Sequence, residues 1–211
     1  MTAGGDRARL TALGCAIVDP LGAPDSLFLE AGALARMLEH LSGMAPDAHT
    51  VLGADQTGTA AGLAISPVMA ALCARELLRT IVFIRALAAA IAHARRPGRP
   101  VRVLYAGCGP LATLALPLMA LLDPRAAAFT LLDIHAASLD GARRLVGHLG
   151  LDAHVAGYLL ADACALRLDP AALPDVIVSE TMNAALRREP QVSIMRHLAM
   201  QAPRALLVPD S

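Results

Sequence analysis

The 211-residue sequence has few aromatic side chains and no excess of either charge. Aromatic residues make up 2% of the chain and tryptophan is absent, whereas 56% of the residues are apolar. The core must therefore be filled by small aliphatic side chains on closely packed elements. Because 18 basic residues balance 18 acidic ones, the composition gives no indication of a nucleic-acid or membrane partner.

Cysteine pairs and long apolar runs are also missing. Four cysteines are scattered along the chain, and none forms a CxxC pair: Cys15, Cys73, Cys108 and Cys164. This pattern predicts reduced thiols, and no cluster of residues suggests a metal site. The first residues are not followed by a long apolar segment, and the most apolar windows, 81–92 and 111–122, are short for a bilayer. We therefore expect a cytoplasmic protein without a signal peptide, a membrane span or a bound metal.

The stretch 101–111, VRVLYAGCGPL, carries the most informative local pattern. Its apolar first half predicts a buried strand, the turn Gly107-Cys108-Gly109 follows, and a helical period begins at Leu111. Strand, glycine turn and helix in this order begin many nucleotide-binding α/β units. Glycines let the backbone approach a ligand closely, and a helix N-terminus offers free N–H groups. An ordinary turn after a strand is the alternative.

Segments beyond this stretch alternate between strand and helix patterns. The basic, helix-breaking linker 95–100, RRPGRP, separates an N-terminal helical lobe or cap, 1–99, from a core at 100–211. In the lobe we expect a loosely packed lead-in over 1–25 and helices over 26–44 and 67–93. In the core we expect further strands at 129–134, 155–160, 176–179 and 205–208, with helices at 136–149 and 191–201. The alternation predicts an α/β fold with a Rossmann-like parallel sheet.

Acidic residues follow several of these strands, at the edge where open α/β sheets bind their ligands. Asp133 stands 24 positions after Gly109, where a carboxylate can accept hydrogen bonds from ribose hydroxyls, although capping of the next helix is the alternative. Asp162 follows the third strand and can bind an adenine amino group or remain solvated. Glu180 ends the fourth strand, and Glu189 follows nine positions later.

Several of these segments resemble protein arginine methyltransferases. The run 178–189, VSETMNAALRRE, is similar to that family's double-glutamate loop, and 103–109 is similar to its first motif. Upstream, 76–83, ELLRTIVF, resembles the acid-x-x-Arg-Thr-x-x-aromatic helix that packs over the cofactor. The last segment, ALLVPD at 205–210, resembles the one that precedes the family's β-barrel. The resemblance extends over about residues 60–210.

The resemblance implies a class I methyltransferase core that uses S-adenosyl-L-methionine and releases S-adenosyl-L-homocysteine. Arg79 would pair with the methionine carboxylate of the cofactor, a geometry that suits a guanidinium. The Gly107-Cys108-Gly109 turn would lie against the cofactor, Asp133 would hold the ribose, and Asp162 would bind the adenine. No β-barrel is expected within these 211 residues.

The same resemblance implies methylation of a nitrogen atom. Glu180 and Glu189 would be the catalytic pair that orients an amine or guanidine and stabilises its cation. The chain departs from the family in Tyr105, which replaces an acid, in Leu111, which replaces a third glycine, and in Arg187-Arg188, which replace aromatic residues. With no barrel, a small-molecule or peptide substrate is expected in place of a clasped protein, and a homodimer is one candidate assembly.

Two other classes of protein share part of these features. A catalytically degenerate cofactor-binding module that acts through protein contacts would explain Tyr105 and Leu111. A nicotinamide-dependent oxidoreductase shares the strand, glycine turn and helix, but the sequence shows no Tyr/Lys or His/Asp set for hydride transfer.

Overall fold

The computed structural model of the chain describes residues 2–43, 57–59, 62–181 and 191–209. The first part contains α1 (Ala3–Val18), α2 (Phe28–Ser42), β1 (Thr57–Thr59), β2 (Gly62–Ala64), α3 (Pro67–Cys73) and α4 (Leu77–Ala94). The second part contains β3 (Val101–Ala106), α5 (Leu116–Leu121), β4 (Ala127–Asp133), α6 (Ala136–His148), β5 (Val155–Leu160), β6 (Val176–Ser179), α7 (Gln191–Gln201) and β7 (Leu206–Val208). Short 3₁₀ turns lie at Pro24–Leu27, Asp152–His154 and Pro170–Ala172.

Five strands form one parallel sheet in the order β5-β4-β3-β6-β7. From β3 the chain runs outward through β4 to β5, and then returns to the other side of β3 to form β6 and β7. The strand order therefore reverses between β3 and β6, which is where open α/β sheets place their ligand crevice. Strands β5 and β7 are the edges of the sheet, so the described strands do not close into a barrel, and the predicted Rossmann-like α/β sheet is confirmed.

The strands are apolar along most of their length because helices cover both faces of the sheet. Alternate residues of β3 point to opposite faces, so Val103 and Tyr105 join one buried cluster, and Leu104 and Ala106 join another. Side chains of α1, α2, α4, α5 and α6 belong to the first cluster, and those of α7 to the second. Both faces of the central strand are thereby removed from water.

The helices before residue 100 contribute to the same core as the sheet. Leu10 of α1, Leu34 of α2 and Ile84 of α4 are fully buried in the cluster that contains Val103. By length and composition alone α4 could cross a membrane, with 18 residues and a mean hydropathy of 1.7, but in the fold it packs against α1, α2 and β7. The division into 1–99 and 100–211 stays a prediction.

The prediction of a loosely packed lead-in over 1–25 is wrong. Residues 3–18 form α1, whose N-cap Thr2 accepts a hydrogen bond from the Gly5 amide. Glycines in the first turn are compatible with a capped helix, and the buried Leu10 and Ile17 then hold it in place. The expected helix over 67–93 is likewise two helices, since the chain bends between Cys73 and Leu77.

Candidate active site

A cavity lies at the carboxyl edge of the sheet, where β3, β4, β5 and β6 end. Its walls come from the turn after β3, the residues after β4 and β5, the end of β6, and the segment from β2 through α3. Most of the predicted site residues line it: Gly107, Cys108, Gly109, Asp133, Asp162 and Glu180. Residues placed far apart in the sequence thus meet at the switch point of the sheet.

The glycine turn brings bare backbone to the cavity. Gly107 and Gly109 have φ angles of 72° and 62°, a region that side chains other than glycine rarely adopt. The amides of Gly107 and Cys108 both donate to the Leu132 carbonyl oxygen, at 2.8 and 3.0 Å. A Cβ atom on Gly107 would overlap the side-chain methyl of Thr181. Both the backbone conformation and the close contact therefore require glycine here.

Asp133 connects this turn to the start of α6. Its two carboxylate oxygens accept hydrogen bonds from the amides of Gly109 and His135, each at 2.9 Å. The residue is 6% exposed, and burial raises its pKa, which the two backbone hydrogen bonds partly oppose. Each carboxylate oxygen has a further lone pair. Binding to the N-terminus of α6 is therefore compatible with binding to a ribose, which stays a prediction.

Leu111, which replaces the third glycine of the turn, is fully buried. In many nucleotide-binding units that third glycine allows the next helix to pack closely. In this chain a glycine in α6 allows the close packing. A Cβ atom on Gly141 of α6 would lie 2.9 Å from both the carbonyl oxygen and the Cβ of Pro110. Gly141 therefore lets α6 pack directly on the turn. Gly141 could not be found from the sequence, because no fixed spacing relates a glycine inside a helix to the preceding turn.

Asp162 follows β5, the edge strand that lies two strands away from β3, and lines the same cavity. Its Oδ1 atom accepts a hydrogen bond from the Cys164 amide at 2.8 Å, and its neighbours Ala161 and Ala163 also line the cavity. Two alanines leave space for a flat ligand beside the carboxylate. The assignment of Asp162 to an adenine amino group stays a prediction.

Glu180 follows β6 and is paired with Arg79 near the start of α4. The Arg79 Nε atom donates to Glu180 Oε1 at 2.9 Å, and the two side chains are 19% and 7% exposed. Burial raises the pKa of Glu180 to about 7, although the guanidinium opposes this increase. Arg79 is not among the residues that line the cavity. Arg79 and Glu180, which the sequence assigned to different ligands, are therefore partners of each other.

Tyr105 and Cys73 complete the surroundings of Glu180. Burial raises the pKa of the Tyr105 phenol well above its usual range, and it also raises that of the Cys73 thiol. Both groups therefore remain neutral at physiological pH. Tyr105, which replaces an acid of the arginine methyltransferases, thus adds a neutral polar group to the cavity wall.

Gln191, the first residue of α7, was not singled out by the sequence analysis. Its side-chain amide bonds to Ser179 and Thr181, the two neighbours of Glu180. No sequence motif pointed to it. Glu189 and Arg187-Arg188 lie outside the described residues, so the predicted second carboxylate stays a prediction. Among the residues that the structure describes, no group of three or more His, Cys, Asp or Glu side chains is arranged to hold a metal ion.

Comparison with known proteins gives similarity to solved structures only. No family model and no curated protein matches the chain. The selenomethionine-substituted CurJ carbon methyltransferase is 15% identical with a TM-score of 0.42, over 96% of this chain and 46% of that one. A possible exported protein from Bordetella parapertussis is 20% identical with a TM-score of 0.43, over 98% and 69%. A geranyl diphosphate methyltransferase in complex with GPP and sinefungin is 14% identical with a TM-score of 0.41, over 94% and 62%.

The chain thus spans about half of the length of the first of these structures and more of the other two. Similarity at such identities and TM-scores assigns neither a family nor an activity.

Proposed function

We propose that this chain is an S-adenosyl-L-methionine-dependent methyltransferase that methylates an amine or guanidine nitrogen of a small molecule or peptide. One observation carries the proposal: the glycine turn, Asp133 and Glu180 line the same cavity at the switch point of a parallel sheet. The turn and Asp133 suit a nucleoside, and Glu180 suits a nitrogen that must lose a proton. The nucleoside site and the acceptor site would then be adjacent, as transfer of a group from one bound molecule to another requires.

The residues at the turn fit the nucleoside part of the cofactor. Gly107 and Gly109 present backbone without side chains, and the two oxygens of Asp133 can accept the two hydroxyl groups of a ribose in addition to their backbone partners. Beyond Asp133, Ile134 offers an apolar surface and Asp162 an acceptor for an exocyclic amine. Bound there, S-adenosyl-L-methionine supplies an electrophilic methyl group on a sulfonium and leaves as S-adenosyl-L-homocysteine.

Glu180 is suited to hold and deprotonate the acceptor nitrogen. A carboxyl group with a pKa of about 7 is partly ionised at neutral pH and can still bind a proton strongly, which is what a general base needs. Its carboxylate would accept an N–H of the acceptor, direct the nitrogen lone pair toward the methyl group, and take the proton released once the nitrogen becomes cationic. The same negative charge favours the cation as it forms.

Small apolar side chains line the cavity beside its polar groups. Ala70 and Ala74 of the α3 region and Ile194 of α7 line the same space as Glu180, and Ile194 is 5% exposed. A low local polarity strengthens the interaction between the carboxylate and a cationic nitrogen. The low exposure of Glu180, at 7%, supports a small molecule or a single side chain as the acceptor.

Arg79 can contribute in two ways. It can bind the methionine carboxylate of the cofactor, as the resemblance implies, or it can hold Glu180 in place, as the 2.9 Å ion pair indicates. Both functions require a planar guanidinium and not merely a positive charge. Separate measurements of cofactor affinity and of methyl transfer distinguish them.

The proposal is tested first by the cofactor and then by the acceptor. Calorimetric titration should show binding of S-adenosyl-L-methionine and S-adenosyl-L-homocysteine and no heat with NAD. Transfer of a radiolabelled methyl group should then be followed with free amino acids, guanidino compounds, amines and arginine-containing peptides. Heat with NAD alone would contradict the proposed cofactor.

A degenerate cofactor-binding module is the second candidate, and one observation favours it. The charge of Glu180 is compensated by Arg79, so the described part of the acceptor side is less negative than a site for a cation needs. A module of this kind would bind S-adenosyl-L-homocysteine and methylate none of the acceptors tested. Methylation of any of them would exclude it.

A further inference from the structure

The side-chain amide of Gln191 bonds to the residues on both sides of Glu180. Its Oε1 atom accepts hydrogen bonds from the Thr181 amide at 2.8 Å, the Thr181 hydroxyl at 2.7 Å and the Ser179 hydroxyl at 3.3 Å. Its Nε2 atom donates to the Ser179 carbonyl oxygen at 2.8 Å. A backbone N–H on one side and a backbone carbonyl on the other require this orientation of the amide. Gln191 itself is 5% exposed.

These bonds replace the sheet ladder at the point where it ends. The last pairs of β6 are Ser179 with Ala106 and Val178 with Val208, so the backbone after Ser179 has no strand partner. Gln191 supplies a donor and an acceptor to that backbone from another element, α7. The peptide that carries Glu180 is thereby held at both ends, although it lies beyond the strand.

Thr181 transmits the same constraint to the glycine turn. Its methyl group lies so close to Gly107 that a Cβ atom there would overlap it, and its hydroxyl and amide are both bound to Gln191. Gln191 therefore sets the position of Glu180 and, through Thr181, its distance from the turn after β3. Displacement reactions are sensitive to changes of about 1 Å in the relative placement of the two reactants.

We propose that Gln191 is a positioning residue that fixes the Glu180 carboxylate relative to the Gly107 turn. The inference rests on the proposed function where it concerns the rate of methyl transfer. Its geometric part, the placement of a buried carboxylate by a buried amide, can be measured without any substrate.

Gln201 provides a matched control at the other end of the same helix. Its Oε1 atom accepts a hydrogen bond from the Leu168 amide and its Nε2 atom donates to the Leu166 carbonyl oxygen, both at 2.9 Å. It is partly buried and does not line the cavity. Gln201 also contacts the ring and the carbonyl oxygen of His197 on its own helix. Gln191→Met and Gln201→Met thus each remove a side-chain amide that binds the backbone of a loop, and only one of these loops carries Glu180.

The experiment measures the pKa of Glu180 by carbon NMR of labelled glutamate carboxyl groups, with Glu180→Gln to assign the signal. In Gln191→Met the carboxyl group should move toward water, and its pKa should fall from about 7 toward the ordinary value of 4.5. Gln201→Met should leave that pKa unchanged. The midpoint of thermal unfolding should fall in both variants, and further in Gln191→Met, whose unpaired partners are more deeply buried.

Methyl transfer supplies the second readout. We expect Gln191→Met to lower kcat by at least about tenfold and to change the cofactor Kd by less than about threefold, because the amide bonds to the neighbours of Glu180 and does not line the cavity. Gln201→Met should stay within about twofold of the parent in both quantities. If Gln191→Met does not fold, Gln191→Asn is measured in its place, since its shorter side chain keeps an uncharged amide and loses the reach to Ser179 and Thr181.

The outcomes separate the two proposals. If the parent methylates no acceptor but Gln191→Met alone shifts the Glu180 pKa, the proposed function fails and the positioning role stands. If the parent methylates an acceptor and both methionine variants have the same Glu180 pKa and the same kcat as the parent, the positioning role is overturned and the proposed function stands. A shift of equal size in Gln201→Met would also overturn it.

Discussion

Asp133 and Glu180 are buried carboxylates at the edge of the same cavity, and the protein holds them by different means. Asp133 accepts hydrogen bonds from two backbone amides, those of Gly109 and His135, which are 24 and 2 positions away in the sequence. Glu180 accepts a hydrogen bond from the guanidinium of Arg79, which is 101 positions away in the sequence and lies on α4. Burial raises the pKa of both groups.

The difference decides how each half of the cavity responds to change. The partners of Asp133 belong to the turn after β3 and to the start of α6, both of which follow directly from strands of the sheet. The part of the cavity proposed to bind the nucleoside is therefore formed by neighbouring elements. The partner of Glu180 is a long side chain on α4, and removing either member leaves the other charge buried alone, which is strongly unfavourable. The acceptor half therefore depends on how the N-terminal helices pack on the sheet.

The largest expected effect comes from Glu180→Gln, which preserves shape and removes the negative charge. Methyl transfer should fall by at least about 100-fold, as with other losses of transition-state electrostatics. Cofactor affinity should stay nearly intact, because the nucleoside contacts lie in the other half. Rapid single-turnover assays and calorimetry measure the two quantities. Turnover within a few-fold of the parent would remove Glu180 from the reaction.

The pH dependence should follow the same carboxyl group. Glu180 must be ionised to accept a proton, so with a pKa of about 7 the rate should rise at least about tenfold from about pH 5 to about pH 7 and level off above about pH 8. Glu180→Gln should lose this dependence. A rate that is flat across this range in the parent would contradict the role of Glu180 as a base.

Stability gives a check on Glu180 that needs no substrate. Because its pKa is higher in the folded than in the unfolded chain, the group contributes stability that is fully present below its ordinary pKa of 4.5 and is lost as the pH rises through about 7. The free energy of unfolding of Glu180→Gln should lack this part of the pH dependence. Denaturant titrations at several pH values measure it.

A smaller effect is expected from Asp133→Ala in the nucleoside half. The affinity for S-adenosyl-L-methionine should fall by about 1–3 kcal/mol, because a charged hydrogen-bond partner of the ribose is lost. Asp169→Ala is the matched control, since Asp169 accepts the Ala171 amide at 2.9 Å in an exposed turn and does not line the cavity. Equal affinities of the folded Asp133 variant and the parent would place the cofactor elsewhere.

The smallest effect is expected from Arg79→Lys, which keeps the charge and removes the planar fork. Cofactor affinity should fall by about 1 kcal/mol, since an ammonium does not reproduce a guanidinium contact. Arg75→Lys makes the same chemical change in a more exposed ion pair, where Arg75 binds Glu39 at 2.7 and 2.9 Å, and it should not alter the affinity. Unchanged affinity with slower methyl transfer would assign Arg79 to Glu180 alone.

Local pattern was sufficient for much of the core but not for the N-terminal part. The strand over 101–106 and the turn at Gly107 were predicted because a short apolar run and two glycines determine them within a few residues. The prediction for residues 1–25 is wrong because a glycine-containing segment lacks a clear helical pattern, whereas Thr2 caps a helix that its buried residues hold in place. Helix α5 begins only at Leu116, after several turns that no spacing rule indicated.

The sequence by itself determined the alternation of strands and helices, the glycine turn after the central strand, and the placement of acids at the ends of β4, β5 and β6. Each of these depends on residues close together in the chain. Only the tertiary structure decided that Arg79 pairs with Glu180, that Gly141 lets α6 approach Pro110, and that Gln191 binds both neighbours of Glu180. Those contacts join elements brought together by burial of apolar side chains, and side-chain burial carries no spacing that a single sequence displays.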